Sequence, residues 1–204
     1  MQTNKPEYYN DLEKIYLKIW DLLDKGLANR DAPFHIPVFI CGDQNKFDGR
    51  IVVLRGLDKK EKKIWFHSDI RSKKIKNLQS NSQASLLFYD KSEKIQLRVC
   101  GSTKINYKNK ITKKSWGKTA HMSRQCYLGD KAPSSNSSKA TSGLTSQVDN
   151  LKYTIEESEI GYENFCVVDA YIKSIEWLYL AAKGHRRAYF NLEKNQLEKK
   201  WLIP

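Results

Sequence analysis

Basic residues crowd a stretch of the chain, FHSDIRSKKIKNL at 66–78, that has the pattern of a strand running into a helix. Ser68 and Asp69 are residue types that cap helix N-termini, and Ile75 and Leu78 lie one helical turn apart. A helix N-terminus carries a partial positive charge, so each cation there costs about 0.3–1 kcal/mol. A bound phosphate would remove that cost, whereas in the alternative interpretation the lysines simply point into solvent. The cations are Arg71, Lys73, Lys74 and Lys76.

Two further segments place polar side chains within apolar runs. In RIVVLR (50–55), Arg50 and Arg55 bracket four apolar residues. In KIQLRVCG, period-two alternation puts Gln96 and Arg98 on one face of a strand. Because an unpaired buried polar group is costly, these side chains must face either water or a polar ligand.

A basic turn follows the long apolar segment SIEWLYLAA. It contains Lys183, His185, Arg186 and Arg187 within five residues. Such a cluster indicates either an ordinary charged turn or a contact to an anion, and the pattern alone does not separate the two.

Several common chemistries lack their motifs. GKT at 117–119 would need a glycine at position 112 to complete a phosphate-binding P-loop, and that residue is Thr112. No G-x-G-x-x-G, H-E-x-x-H or C-x-x-C pattern occurs, so we expect neither a Rossmann-type dinucleotide-binding site nor a metal site. Cys41, Cys100 and Cys166 lie in apolar runs and are expected to be buried thiols.

The net charge is +13, from 36 basic and 23 acidic residues. Such a balance is compatible with nucleic acid or a membrane surface. The lysines are scattered, however, and no aromatic-basic RNA motif is present, so a nucleic-acid partner is not expected. The chain has no apolar run of membrane-spanning length and no apolar signal region at its start, which predicts a cytoplasmic protein.

The elements that would position these residues are mostly strands. Pro6 and Glu7 predict the start of an N-terminal helix within 1–27, which apolar residues at helical spacing support, and the Ser-rich segment 129–147 predicts a mobile loop. A series of short strands with turn signals between them predicts a single domain over 1–204, a mainly β fold built as a β-barrel with peripheral helices. The predicted strands span 34–42, 50–57, 63–68, 83–90, 94–107, 162–182, 185–193 and 197–204.

In order along the chain, these segments resemble the pyridoxamine 5′-phosphate oxidase family of flavin mononucleotide (FMN)-binding split barrels, which have an antiparallel Greek-key arrangement. The resemblance covers roughly 34–107 and 162–204. The segments that carry it are RIVVLR, WFHSDIRSKK, ASLLFYD, IQLRVCG, IEW and the terminal WLIP.

The resemblance implies an FMN site in a cleft between the two chains of a homodimer. It implies that Arg50 lies near the FMN phosphate and that Lys73 and Lys74 grip it, while Gln96 contacts the isoalloxazine edge. It also implies that Trp177 and Arg187 reach the flavin from the partner subunit. The full set of implied cofactor residues is Arg50, Ile51, Val52, Val53, His67, Ser68, Lys73, Lys74, Gln96, Trp177 and Arg187.

The substrate side of the resemblance is less complete. It implies that Arg55, Arg124 and Lys183 hold a substrate phosphate and that His185 positions the reacting group. A one-residue shift in register would select Arg186 instead of Lys183 or His185. The Ser-rich segment also departs from the family pattern.

The resemblance therefore implies an FMN-dependent oxidoreductase similar to pyridoxamine or pyridoxine 5′-phosphate oxidase, with hydride transfer to FMN and O₂ as acceptor. The alternatives are a non-catalytic FMN-binding protein and a flavin reductase of the same fold. A haem-binding relative and a basic nucleic-acid-binding barrel are further alternatives that lack a supporting pattern.

Overall fold

Strands dominate the structure, a computed structural model that describes residues 5–42, 46–182, 184–193 and 196–204. Within those ranges nine strands form one sheet, and each paired neighbour is antiparallel. The strands are β1 (Val38–Gly42), β2 (Phe47–Ile51), β3 (Gly56–Asp58), β4 (Lys63–Asp69), β5 (Gln83–Asp90), β6 (Ile95–Tyr107), β7 (Phe165–Tyr179), β8 (Arg186–Asn191) and β9 (Glu198–Leu202).

The strand β7 is the centre of the sheet. The main path runs β2-β1-β5-β6-β7-β4-β3, and β8 and β9 extend from β7 in a branch. The first half of β7 pairs with β4 and its second half with β8, while β6 pairs along nearly its whole length. Among the described strands no ladder joins β2 to β3, so the curved sheet is a split barrel and not a closed one.

Helices cover the outside of this sheet. The α-helices are α1 (Leu12–Ala28), α2 (Lys73–Ser80), α3 (Lys110–Gly117), α4 (His121–Arg124) and α5 (Ser146–Asp149). Short 3₁₀ helices span Pro33–His35, Gln125–Tyr127 and Glu157–Asn164. The side chain of Asp11 caps α1 by accepting hydrogen bonds from the backbone N–H groups of Glu13 and Lys14 at 2.9 and 3.1 Å.

The main core follows the period-two alternation of the strands. On β6 and β7 the alternate residues Leu97, Val99, Ile175 and Trp177 are fully or almost fully buried. Helix α1 adds residues from one of its faces, such as Ile19, to this core. Burying each of these large apolar side chains contributes about 1.5–3 kcal/mol.

A second, smaller core lies on the other face of β4 and β7. Trp116 of α3 packs there against Phe165, with ring centroids 5.2 Å apart. Tyr127 and Val167 complete the buried cluster, and Trp65 lies at its edge. This packing fixes α3 and α4 above the outer face of β4.

Three details differ from the predictions. The RIVVLR segment is not one strand: β2 ends at Ile51 and β3 begins at Gly56, because residues 52 and 54 donate their backbone N–H groups to Pro37 and His35. Helix α1 begins at Leu12 and the residues from Pro6 form a turn before it. The strand β4 extends to Asp69, and the N-cap of α2 is Ser72, not Ser68 or Asp69.

The Ser-rich segment is largely irregular and ends in α5. It is attached to the sheet by Arg71, whose guanidinium donates to the carbonyl oxygen of Gly129 at 2.9 Å. Two of the three cysteines expected to be buried, Cys41 and Cys166, are so, whereas Cys100 is exposed because it lies on the outer face of β6. The predicted fold class, a mainly β split barrel with peripheral helices, is confirmed.

Candidate functional site

Two buried serines and one lysine meet at the N-terminus of α2. Ser68 ends β4 and Ser72 is the N-cap of α2, and each is only 4% exposed. The Ser72 side chain makes no capping hydrogen bond; instead Lys74 Nζ donates to Ser68 Oγ at 2.9 Å and to Ser72 Oγ at 3.3 Å. The lysine side chain thus folds back over the start of its own helix.

This lysine has no carboxylate partner within 4 Å among the described residues. Burial, followed by the positive charge of Arg50, lowers the pKa of Lys74. The Arg50 guanidinium pairs with Asp48 and donates to Cys41 Sγ at 3.1 Å. Among the described residues, Asp48 is thus the one carboxylate that forms a salt bridge with either of these two cations.

This arrangement fits the phosphate of FMN. A phosphate placed there would meet the Lys74 ammonium, two hydroxyl groups and the free N–H groups of the first helical turn, as helix-terminal phosphate sites do. The residues that could hold it are Arg50, Ser68, Ser72 and Lys74.

The other cations of this stretch have different surroundings. Lys73 and Lys76 are exposed. Arg71 forms a salt bridge with Asp69 at 2.8 Å and also donates to the carbonyl oxygen of Gly129. Of the predicted basic pair, the structure therefore brings Lys74 to the candidate phosphate site and leaves Lys73 at the surface.

The predicted flavin-lining segment lies beside β1. Arg50 and Ile51 belong to β2, while Val52 is buried and Val53 half-buried in the extended connection that follows. The Ile51 side chain is 62% exposed and so is available to a ligand or to another chain.

A cavity of about 550 Å³ lies between the outer face of β4 and helices α3 and α4. Its walls come from the barrel strands on one side and from the α3–α4 segment on the other. The lining residues are Arg30, Arg55, Lys63, Trp65, His67, Ile111, Lys114, Ser115, Lys118, Thr119, Ala120, Ser123, Val167 and Asp169.

Positive charge dominates this cavity. Five of its side chains are cationic and one, Asp169, is a carboxylate. Asp169 already accepts a hydrogen bond from Asn106 at 2.9 Å and lies 3.9 Å from Lys63. The remaining four cations form no salt bridge with a described residue; they are Arg30, Arg55, Lys114 and Lys118.

His67 lies in the wall of this cavity. Burial, followed by the nearby charge of Arg55, lowers the pKa of His67 to about 4. The imidazole is therefore neutral at pH 7, so it can donate one hydrogen bond and accept another but adds no charge to the cavity. Alternation along β4 places His67 and Ser68, both implied cofactor residues, on opposite faces of the strand, so their side chains point to different sites.

Trp65 forms the aromatic wall of the cavity. It pairs across the ladder with Gly56, and a Cβ at that glycine would lie 1.8 Å from Trp65 Cζ2. The indole therefore lies flat over the glycine, and Lys63 Nζ sits 5.5 Å from the ring centroid.

Gln96 and Arg187 share the outer face of the sheet. Gln96 pairs with Leu178, which pairs with Arg187, so these three side chains point the same way. On the same face Glu176 binds Arg187 Nε at 2.8 Å and also pairs with Arg98.

Trp177 does not lie on that face. It points into the main core with 0% exposure, and its Nε1 atom has no hydrogen-bond partner among the described residues. The prediction that Trp177 reaches a partner's flavin is therefore wrong for this conformation, because strand alternation turns the ring inward and presents Leu178 in its place.

Arg124 is also placed differently from the prediction. It is 5% exposed, lies over the Trp116 ring at 4.6 Å and donates to the Trp116 carbonyl oxygen at 3.2 Å. The Arg124 guanidinium also forms a salt bridge with Glu159, which neutralises its charge. Arg124 thus stabilises the α3–α4 segment and does not line the cavity.

The described residues of the basic turn before β8 do not line this cavity. His185 is exposed, and its Nδ1 lies 3.3 Å from the Tyr179 carbonyl oxygen. Lys183 lies outside the described residues. Among the described residues no group of three or more His, Cys, Asp or Glu side chains could hold a metal ion, and no described helix has the length and apolarity to cross a membrane.

Of the cavity residues, sequence reasoning named only Arg55 and His67, and it did not single out Trp65, Lys114 or Lys118. The two lysines are four residues apart, a spacing that places them on one face of a helix. That spacing is visible in the sequence, but in a stretch so rich in lysine it is equally typical of a solvated surface.

Comparison with known proteins supports the resemblance. Residues 24–107 match the family model described as pyridoxamine 5′-phosphate oxidase, FMN-binding domain. FMN is therefore the cofactor of the matched domain, and the resemblance found in the sequence is confirmed. No curated protein matches the chain.

Solved structures share the fold over nearly the whole chain. An FMN-binding protein related to pyridoxamine 5′-phosphate oxidase, from Nostoc punctiforme, is 16% identical with a TM-score of 0.72, covering 92% of this chain and 96% of its own. PhzG from Burkholderia lata, in complex with tetrahydrophenazine-1-carboxylic acid, is 15% identical with a TM-score of 0.69, covering 98% of each chain. At these identities the likeness establishes the fold.

Proposed function

From the FMN-binding domain matched by residues 24–107, we propose that this protein is an FMN-dependent oxidoreductase resembling pyridoxamine 5′-phosphate oxidase. It oxidises a small anionic substrate by hydride transfer to FMN, and O₂ is the final acceptor. One observation carries this proposal: β4 ends between an uncompensated cationic pocket at Ser68 and a large cationic cavity at His67.

The cofactor is held at its phosphate by the chain itself. Lys74, Ser68 and Ser72 surround the anion, and Arg50 adds a second positive charge nearby. Bound FMN supplies a two-electron acceptor that the amino acids themselves lack.

The protein acts as a homodimer in this proposal, with FMN at the subunit interface. Gln96 and Arg187 point outward from a broad sheet face and could contact a flavin held by a second copy. The apolar side chains of that face supply the surface to be buried; they are Val38, Ile40, Leu87, Tyr89, Leu178, Tyr189 and Leu202.

On the substrate side, Arg55 binds the anionic group of the substrate at the barrel wall of the cavity. Neutral His67 beside it can hold a hydrogen bond without competing for that charge. His185 and Lys183 enter from the second copy in this proposal, and His185 positions the reacting group. Helices α3 and α4 exclude water from one side of the cavity.

Two of the solved structures are consistent with this class of function. The Nostoc protein is described as FMN-binding, and PhzG holds a ring compound with a carboxylate. The buried position of Arg124 removes one of the implied phosphate ligands, which favours a substrate other than vitamin B6 phosphates.

The free thiols fit the proposed cytoplasmic location. All four cysteines are unpaired, as is common in a reducing compartment.

The test is turnover by the purified FMN-loaded protein. Pyridoxamine 5′-phosphate is offered first, followed by partly saturated ring carboxylates, whose ring C–H bonds can donate a hydride, in the presence of O₂. Each oxidised substrate loses a hydride and a proton, and O₂ is reduced to H₂O₂, so peroxide should appear in equal amount to the product.

A yellow protein that oxidises none of these substrates and whose flavin is not reduced by NADH or NADPH would be a non-catalytic FMN-binding protein. NADH- or NADPH-dependent reduction alone would indicate a flavin reductase, and a colourless protein that does not take up FMN would overturn the proposal.

A further inference from the structure

The cavity above β4 holds more positive charge than one anionic group can neutralise. Arg30, Arg55, Lys114 and Lys118 form no salt bridge with a described residue, and the single lining carboxylate is already bound. One phosphate carries at most two negative charges, which would leave about half of these cations unbalanced.

The cations also lie on opposite walls. Arg55 belongs to the barrel, whereas Lys114 lies in α3 and Lys118 is the C-cap residue of that helix, one turn further on. Arg30 lies at the mouth, since it also lines a neighbouring pocket with Leu87 and Tyr89 of the sheet face. A ligand that meets both walls needs an anionic group at each of two positions.

The barrel wall of the cavity carries an aromatic surface. Trp65 lies flat because Gly56 leaves no side chain beneath it, and the indole lines the cavity. Such a surface favours a planar ring, which can stack on the indole.

We infer that this cavity binds a planar aromatic compound carrying two anionic groups, its ring against Trp65, one group at Arg55 and the other at Lys114 and Lys118. This inference rests on the proposed function for its link to flavin chemistry, but not for the binding itself. It assigns Lys114 and Lys118 as specificity-determining residues in place of Arg124.

The test is ligand binding by calorimetry to the full-length protein, with and without FMN. The probes are benzoate, benzene-1,3-dicarboxylate, 3-carboxyphenyl phosphate and the saturated cyclohexane-1,3-dicarboxylate. Each additional charge-assisted hydrogen bond should tighten binding about tenfold, so both aromatic dianionic probes should bind at least about tenfold more tightly than benzoate. The relative affinity of the carboxylate and phosphate probes identifies the second anionic group.

Variants separate this site from general surface charge. Lys114→Ala with Lys118→Ala should remove the advantage of the dianionic probes, whereas the matched pair Lys110→Ala with Lys113→Ala, exposed on the same helix and outside the cavity, should keep it. Trp65→Leu should remove the preference for the aromatic over the saturated dicarboxylate.

Equal affinity for benzoate and benzene-1,3-dicarboxylate, or equal losses in the two lysine pairs, would overturn the inference. Failure to take up FMN is measured separately by absorbance and would count against the proposed function only, since the probes are also titrated into the FMN-free protein.

Discussion

Lys73 and Lys74 are adjacent in sequence but lie in different electrostatic environments. The Lys74 ammonium is held by two buried hydroxyl groups without a carboxylate, while Lys73 is exposed to solvent. A residue kept in a costly position, with its pKa lowered by burial, indicates a missing anionic partner. From the sequence alone, every cation of the basic stretch could either bind a phosphate or point into solvent. The structure leaves Lys74 as the one lysine of this stretch with the surroundings of a phosphate ligand.

Replacing Lys74 by Ala should weaken FMN binding by about tenfold to a hundredfold, because a charge-assisted hydrogen bond to phosphate contributes about 1.5–3 kcal/mol. Replacing Lys73 by Ala should change the affinity by less than about threefold, as expected for an exposed charge. Quenching of flavin fluorescence on titration of FMN-free protein measures both constants. Equal losses in the two variants would show that the buried lysine has no special role.

His67 should make stability depend on pH. Its pKa is about 4 in the folded chain and 6.5 ordinarily, so between these values the unfolded chain binds more protons. Stability from the neutral imidazole is fully present above pH 6.5 and is lost as the pH falls towards 4, by at most about 3 kcal/mol.

Urea unfolding at pH 7.5 and pH 4 measures this effect. The parent protein should lose about 1–3 kcal/mol more free energy of unfolding between these conditions than His67→Gln, which cannot titrate. The other groups titrate in both proteins and cancel in the comparison. A parallel loss in both proteins would mean that His67 is accessible to protons in the folded state.

At the scale of elements, the strand β4 connects the two candidate sites because its side chains alternate. Ser68 points to α2, while Trp65 and His67 point to the cavity. The position of the cavity wall in turn depends on the pairing of β3 with β4, where the backbone of Gly56 supports the indole of Trp65.

Gly56→Ala should therefore destabilise the protein by about 1–3 kcal/mol, as overpacking does, and should shift the tryptophan emission. Gly49→Ala on β2 is the matched control, since a Cβ there would find its nearest atoms at 3.7 and 3.8 Å. Its free energy of unfolding should stay within about 0.5 kcal/mol of the parent. If Gly56→Ala is as stable as Gly49→Ala, the indole is free to move and does not form a fixed wall.

Local patterns predicted most of these elements. Alternation and turn residues placed β5 at its observed bounds and β6 to within one residue. The RIVVLR segment was predicted as one strand but is interrupted between β2 and β3, because residues 52 and 54 donate hydrogen bonds to Pro37 and His35, which precede β1. The start of α1 depends on the Asp11 cap, which is local but was outweighed by Pro6 as a start signal.

The residues of the candidate site were predictable to a smaller extent. The sequence order and the family resemblance indicated Arg50, Arg55, Ser68 and Lys74. They could not show that Trp177 faces the core or that Arg124 is bound by Glu159, because both depend on which side of an element faces the rest of the chain. The cavity combines α3 with β4, which are far apart in sequence.

At the scale of the whole molecule, the outer sheet face is the candidate dimer surface. Leu87→Asp places a charge in the middle of its apolar residues and should convert the dimer to monomers with loss of FMN, because burying an unpaired charge is costly. Leu17, on the outer side of α1, is 67% exposed, so Leu17→Asp should change neither the oligomeric state nor the FMN content. Light scattering after size-exclusion chromatography gives the mass, and circular dichroism checks the fold.

If the parent protein is monomeric and still binds FMN, the proposal that FMN lies at a subunit interface is wrong. The same conclusion would follow if Leu87→Asp kept both its mass and its flavin.

The central position of β7 has a consequence for synthesis. This strand joins β4 to β6, yet it begins at residue 165, after the long segment that contains α3, α4 and the Ser-rich chain. A ribosome adding about 5–20 residues per second exposes the unpaired edges of β4 and β6 for several seconds before β7 emerges. Unpaired edges attract other strands, so the nascent chain passes through a period of vulnerability to aggregation that the finished protein does not share.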